Sequence, residues 1–350
     1  DRSRSFNITS LSVGLAKRLT IPDDYFVLSG STSFQYYDLN NYNTGLFTFG
    51  DGASRNLAFT AGLTRNNKGV NPIYPTSGAE YSISAKFTLP YSLWNGIDYA
   101  KLGDLEENKL KYRTGSTLNV RATSQGLYPQ DGDYLGVAET LANGTVIYEA
   151  VEDYQNAAAD QSRVDQQKFN WLEYYKIKFK VDSYTKIAGT PQKALVLRAL
   201  GEFGFLGAYN NARGMVPFER FFLGGDGLAN FALDGREVVQ LRGYPNQSLS
   251  DNDGGTIYNK FSLELRYPLT LKAAASIYAL GFLEAGSSFN NFQEYNPFVL
   301  QRSAGFGLRI FMPAFGLLGI DFAHGFDAVP NSGTTQKNGW ETHFIIGQQF

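Results

Sequence analysis

Cysteine is absent from the 350 residues, and histidine and methionine occur only twice each. No disulfide framework or thiolate chemistry is therefore available. His324 and His343 have no neighbouring second metal ligand, so no metal site is expected. No apolar run approaches eighteen residues, which excludes a transmembrane helix. The formal net charge of −2 leaves no basic footprint for nucleic acid. No signal peptide opens the chain: Asp1-Arg-Ser-Arg-Ser is polar and charged from the start, as in a mature, processed or truncated chain. Neither a Gly-x-Ser-x-Gly elbow nor a P-loop is present, so the expectation is a protein without enzymatic activity or cofactor. Asp251-Asn-Asp-Gly-Gly255 hints at a calcium loop, but the twelfth position, where an EF-hand needs Glu, is Ser262. It reads as a polar loop tip.

What remains is rich in Phe (27), Tyr (22) and Gly (37), a balance that suits an all-β protein. Strict alternation recurs. In Tyr175-Lys-Ile-Lys-Phe-Lys-Val-Asp182, apolar Tyr175, Ile177, Phe179 and Val181 share one face and the charged residues the other. Tyr81 to Leu89 and Phe261 to Tyr267 repeat the pattern. A soluble barrel would turn the charged face outward, whereas a membrane barrel inverts this, with lipid outside and a polar lumen. Alternation does not separate the two.

Connection lengths do. The pattern predicts eleven strands, near 5–19, 24–39, 55–66, 79–90, 169–184, 193–208, 257–268, 272–286, 301–312, 316–325 and 340–350. Short turns (21–24, 67–78, 188–192, 269–271, 313–315) alternate with long segments (40–54, 91–168, 209–256, 287–300, 326–339). Short turns at one rim and long loops at the other mark an outer-membrane barrel, with the short rim periplasmic. The fold class is therefore all-β, an antiparallel transmembrane β-barrel. The last segment, Trp340 to Phe350, alternates toward an aromatic end. The first strand shifts phase between Ile8 and Leu11, which suggests a bulge or a strand beginning nearer Ser10. Strand 272–286 is bland, with Ala273, Ala275 and Ala279 where larger lipid-facing residues are expected. An odd strand count points to a carboxy-terminal piece of a longer barrel, since bacterial single-chain barrels have even counts.

One loop carries a motif. Pro217-Phe-Glu-Arg-Phe-Phe-Leu-Gly224-Gly225 is followed by Leu241-Arg-Gly-Tyr244. Here the chain resembles the BamA-type outer-membrane protein insertases, in which a P-F-x-x-F-x-x-G-G segment precedes an R-G-F/Y tip on a loop that folds into the lumen. The likeness continues through Tyr74-Pro-Thr-Ser-Gly78, Glu264-Leu-Arg-Tyr-Pro268, Phe282-Leu-Glu-Ala-Gly286, Ala304-Gly-Phe-Gly-Leu308 and Phe344 to Phe350. The two longest loops match poorly. The lengthening at 226–240 is typical of Bacteroidetes-like members. The resemblance implies the carboxy-terminal part of a barrel of about sixteen strands, in the outer membrane of a Gram-negative bacterium. It also implies a plug tip of Arg242, Gly243 and Tyr244, supported by Gly224 and Gly225.

Alternation places Glu264 on the luminal face, and Glu284 matches the family's luminal acid on the next strand. Both are candidates to receive the planar guanidinium of Arg242. Either Arg242 only pins the loop, or it also switches. Gly347, between Phe344 and Phe350 on the last strand, is either an ordinary barrel glycine or a kink that weakens a seam. An unzipped seam would expose N–H and C=O groups that are costly in lipid and would template incoming strands. The resemblance thus implies unfolded outer-membrane proteins as substrates, accessory lipoproteins of the assembly complex as partners, and a setting of bilayer and lipopolysaccharide. The 91–168 insertion would be extracellular, a solvated loop or cap with one short helix at 98–113, or a docking surface for accessory proteins through Trp94 and Trp171. A polypeptide-translocating barrel of the same superfamily and a passive porin-like channel are the competing readings.

Overall fold

The computed structural model describes residues 4–41, 49–69, 71–190, 193–227, 236–272, 274–313, 316–330 and 332–347. Eleven long strands form one antiparallel sheet. They are β1 (Ser5–Arg18), β2 (Phe26–Asn40), β3 (Gly52–Asn66), β4 (Ser77–Thr88), β5 (Tyr175–Ala188), β6 (Leu195–Gly207), β7 (Ile257–Lys272), β8 (Ala275–Phe289), β9 (Gln301–Met312), β10 (Gly316–Gly325) and β11 (Gly339–Ile346). Each pairs with its neighbours in chain order, and β1 and β11 are the two edges of an unclosed wall. The wall curls nonetheless. One cavity of about 610 Å³ is bordered by Thr64 of β3 and Ser82 of β4, and also by Arg309 of β9 and Leu317 of β10.

The polarity is inverted relative to a soluble barrel. On β7, Phe261, Leu263, Leu265 and Tyr267 are 44–48 % exposed, while Lys260, Ser262, Glu264 and Arg266 between them are 3–7 % exposed. Burial of the charged row means that it faces the lumen and meets partners there. The apolar row is left for hydrocarbon, as a membrane-spanning strand requires. No described helix is long and apolar enough to cross a membrane.

Short connections (19–25, 67–76, 189–194, 273–274, 313–315) alternate with long ones (41–51, 89–174, 208–256, 290–300, 326–338). Four local expectations are overturned. β1 pairs with β2 in unbroken register from Ser5–Asn40 to Arg18–Val27, so there is no bulge; Ile8 and Leu11 lie on opposite faces of one regular strand. Residues 269–271 are strand rather than turn, because β7 runs on to Lys272. The irregularity there is a register shift between Pro268 and Thr270, where proline has no N–H to give the ladder. β5 starts at Tyr175, not near 169, because the preceding residues pair with β3 instead: Arg55 N–H donates to the Asn170 carbonyl and Leu172 N–H to that of Arg55, both at 2.8 Å.

The cap is the fourth. Residues 98–113 hold two 3-10 turns and no α-helix. The helix α1 is Gln161–Lys168, started by Asp160, whose carboxylate accepts from the Ser162 and Arg163 amides. A small sheet of 119–120, 146–151 and 134–140, in that order, completes the cap.

Candidate functional site

The 209–256 loop folds back into the lumen as a plug. Its Pro217–Gly225 segment is apolar at alternate and adjacent positions, and the structure buries nearly all of it. Phe218, Phe221 and Leu223 join Leu241, Tyr244 and Leu249 of the same loop against Tyr37, Leu206 and Tyr258 of the wall. The Phe218 ring stacks on Tyr37 at 4.5 Å, and Phe221 lies 4.7 Å from Tyr258. Fully burying such side chains stabilises by roughly 1.5–3 kcal/mol each, so the body of the plug is an apolar core inside an otherwise polar lumen.

Within the plug, Phe221–Leu223 pairs in parallel with Glu237–Val239, and Gly225 pairs with Leu241. Gly225 has φ 78°, and a Cβ there would collide with Asn246. Neighbouring Gly224 donates its N–H to the Val239 carbonyl at 3.0 Å. The glycine pair thus lets the outgoing and returning limbs of the loop close on each other and aims the Leu241–Tyr244 tip at the wall.

Arg242 is 2 % exposed and reaches three carboxylates on three strands. Nη2 donates to Glu264 Oε1 on β7 at 2.7 Å and to Glu284 Oε1 on β8 at 2.6 Å, and Nη1 to Asp321 Oδ2 on β10 at 3.2 Å. Its backbone N–H adds a bond to Glu284 Oε2 at 2.8 Å, and the guanidinium lies 3.6 Å above the Phe282 ring. Burial alone would lower the guanidinium's pKa, but Glu284 and Glu264 more than offset it and hold the group above its ordinary value.

The wall prepares the seat. Arg266 and Arg198 share Glu264, and Arg309 holds Asp321 at 2.6 Å. Each shared acid therefore keeps a cation even when the plug is withdrawn. Tyr74, in the turn before β4, is buried with its hydroxyl 2.8 Å from both the Ala194 and the Arg266 carbonyl oxygens, within reach to donate to either.

Gly243 has φ 87°, and a Cβ would lie 2.7 Å from that of Ser303. Only glycine fits this approach to β9 and β10. Its N–H donates to His343 Nε2 at 2.8 Å, and its carbonyl accepts from Asn338 Nδ2 at 2.9 Å, which ties the tip to β11 and the loop before it. Tyr244 is buried, its hydroxyl donating to the Arg302 carbonyl at 2.7 Å; burial pushes its pKa up to about 12.

A second anchor lies across the lumen. Glu219, at φ 67°, takes Lys86 of β4 and Lys176 of β5, while Glu237 takes Lys176 at 2.7 Å and Lys178 at 2.8 Å. Burial works against both carboxylates' ionisation, yet the lysines hold their pKa values below the usual glutamate range.

The structure therefore brings Arg242, Glu264, Glu284, Gly243, Tyr244, Gly224 and Gly225 together. The Phe344 side chain lies on the exposed face of β11, while its backbone N–H donates to Asp226 Oδ2 of the plug loop at 3.4 Å. Gly347, at φ 115°, follows the end of that strand at Ile346 and donates to the Leu317 carbonyl. Residues 348–350 beyond it, Phe350 among them, lie outside the described residues, as does 228–235 of the lengthened loop. Sequence reasoning missed Asp321, Arg198, Arg266, Arg309 and the acceptor role of His343.

Among solved structures, the chain is similar to BamA from Haemophilus ducreyi lacking POTRA domains 1–3, with 14 % identity and a TM-score of 0.54 over 98 % of this chain and 55 % of that one. CdiB from Escherichia coli is similar at 11 % identity and a TM-score of 0.47 over 97 % and 45 %. The chain thus spans about half the length of the structures it matches. Curated protein sequences give no match. The model of the Omp85 superfamily domain matches residues 1–350 from end to end, and the chain belongs to the Omp85 superfamily.

Proposed function

We propose that this wall belongs to a BamA-type insertase of the bacterial outer membrane, which folds barrel proteins by templating their strands on its β11 edge. The observation that carries the reading is the seating of Arg242 on Glu264, Glu284 and Asp321 together with the bonds from Gly243 to His343 and Asn338. A plug bonded to the edge strand couples the state of the lumen to the geometry of that edge. The edge offers backbone N–H and C=O groups that hydrocarbon cannot satisfy, which favours capture of an incoming strand. No nucleotide or metal is needed for this exchange. Unfolded outer-membrane proteins are the proposed substrates. Accessory lipoproteins would dock on the 91–168 cap, and the lengthened 226–240 segment favours a Bacteroidetes-like member.

The cysteine-free sequence makes the test direct. In the full-length protein, single cysteines at Trp340, Thr342 and Phe344 are paired with cysteines along the last strand of a substrate barrel. Templating gives disulfide adducts that peak in one strand register. Absence of adducts while substrates still assemble refutes it; absence of adducts with polypeptide secreted through the lumen replaces it with translocation.

A further inference from the structure

The outward face of the wall changes character where β7 and β8 reach the long-loop rim. Phe261 and Leu263 are about half exposed, yet Asn259 and Ile257, further along the same face of β7, are 2 % and 0 % exposed. Asn259 pairs across the sheet with Ser287, so two polar side chains sit on a face that otherwise meets hydrocarbon. They satisfy each other, Ser287 Oγ donating to Asn259 Oδ1 at 2.5 Å, while Asn259 Nδ2 donates to the Pro297 carbonyl at 3.4 Å. Pro297 belongs to the 290–300 loop, which folds down over the outside of the wall.

Aromatic contacts fasten it there. Phe292 lies 5.8 Å from Phe205, and Tyr295 lies 5.9 Å from Phe203 and 5.4 Å from Phe289, all three on the outward faces of β6 and β8. Fastened in this way, the loop leaves Phe292 64 % and Phe298 89 % exposed. From Asn290 to Leu300 its only charged residue is Glu294.

We propose that this loop is a lipid-docking ledge, with Phe292 and Phe298 seated at the hydrocarbon–headgroup boundary of the outer leaflet. Phe292 packs edge-on against Phe205 of the outward face, so the loop adds exposed aromatic surface to the face that carries Phe261 and Leu263. Aromatic side chains concentrate at this boundary because the ring is apolar and the surrounding backbone is wet. The loop lacks the cations that anionic headgroups or a phosphorylated partner would call for, so the occupant is the neutral acyl boundary. The ledge fixes the depth of β7 and β8, the strands that carry Glu264 and Glu284, and so holds the plug's seat steady relative to the bilayer.

The test places single nitroxide labels in the full-length protein, reconstituted in vesicles, at Phe298→Cys, Phe292→Cys, Leu263→Cys on the wall and Asn143→Cys on the cap. Folding is checked by heat-modifiable gel mobility. Collisions with oxygen should exceed those with a water-soluble nickel chelate at 298 and 292, as at 263, and the reverse should hold at 143. Nickel-dominated collisions at 298 and 292 with a lipid-like 263 overturn the ledge. A water-like 263 instead overturns the membrane reading of the wall. Shielding of 298 from both reagents in native membranes, combined with a water-like signal in vesicles, assigns the surface to a protein partner and also overturns it.

Discussion

Replacing Arg242 with alanine tests the plug's seat most directly. Glu264 would retain Arg266 and Arg198, and Asp321 would retain Arg309. Glu284 would lose the one ion pair it has among the described residues, keeping the backbone N–H of residue 242 and the longer-range attraction of Lys260. Removing one member of a desolvated pair costs about 3–5 kcal/mol. Two acids stay paired, and the cavity of about 610 Å³ bordering Arg242, Glu264 and Glu284 admits water, so the cost falls near the lower end, roughly 3 kcal/mol. At about 1.4 kcal/mol per tenfold, the open population of the plug should rise roughly a hundredfold. Hydrogen exchange of the 217–227 and 237–249 amides in full-length protein in nanodiscs reads this change as faster exchange confined to the plug. Arg242→Lys should recover only part of the protection, because one ammonium cannot span acids on three strands. Adding Glu284→Gln to Arg242→Ala should also recover part, since the stranded charge is gone. Exchange within about threefold of the unmodified protein, or full additivity of the two substitutions, would refute the argument.

Four further outcomes follow from the same geometry. The depressed carboxylates of Glu219 and Glu237 contribute stability that is complete above the ordinary glutamate pKa of 4.5 and is lost as pH falls through their lower folded values. Protease resistance of the plug should therefore be flat from pH 8 to about 5 and fail only below about 4; loss beginning near neutrality would contradict the lysine clamp. Gly243→Ala should unseat the tip by about 1–3 kcal/mol through its positive φ and the Ser303 contact, seen as added exchange at Tyr244. His343→Ala should leave the buried Gly243 N–H unpaired at a cost of about 1–3 kcal/mol, with His343→Gln rescuing it, as read by exchange of that single amide. Leu263→Arg should lower folding stability in a bilayer by about 2–4 kcal/mol, measured by urea titration in vesicles; an unchanged midpoint would argue that this face does not meet lipid.

The wall was legible because its information is local. Period-two alternation and connection length place all eleven strands, and the same count puts Glu264 on the luminal face before any partner is known. Asp321 was legible by that rule too: Gly319, Asp321 and Ala323 share the luminal phase of β10, but no family motif marks Asp321 as one marks Glu284. Arg198, Arg266 and Arg309 lie on the same face and needed only the question of which cations neutralise a buried acid. The missing N–H of Pro268 was the available signal for the register shift that stands where a turn was expected at 269–271. The second anchor was not legible. Glu219 and Lys176 are 43 residues apart, and nothing in the period of β4 or β5 says that the plug folds back across them. The cap's helix was missed for the opposite reason: Asp160 is a local start signal, whereas the stretch 98–113, where a helix was expected, has none and forms 3-10 turns. The loop at 290–300 combines both difficulties. Its aromatics look like any extracellular tip until burial of Asn259 on the lipid side shows that the chain has turned outward, and that burial depends on contacts between β6, β7 and β8 that exist only once the wall has formed.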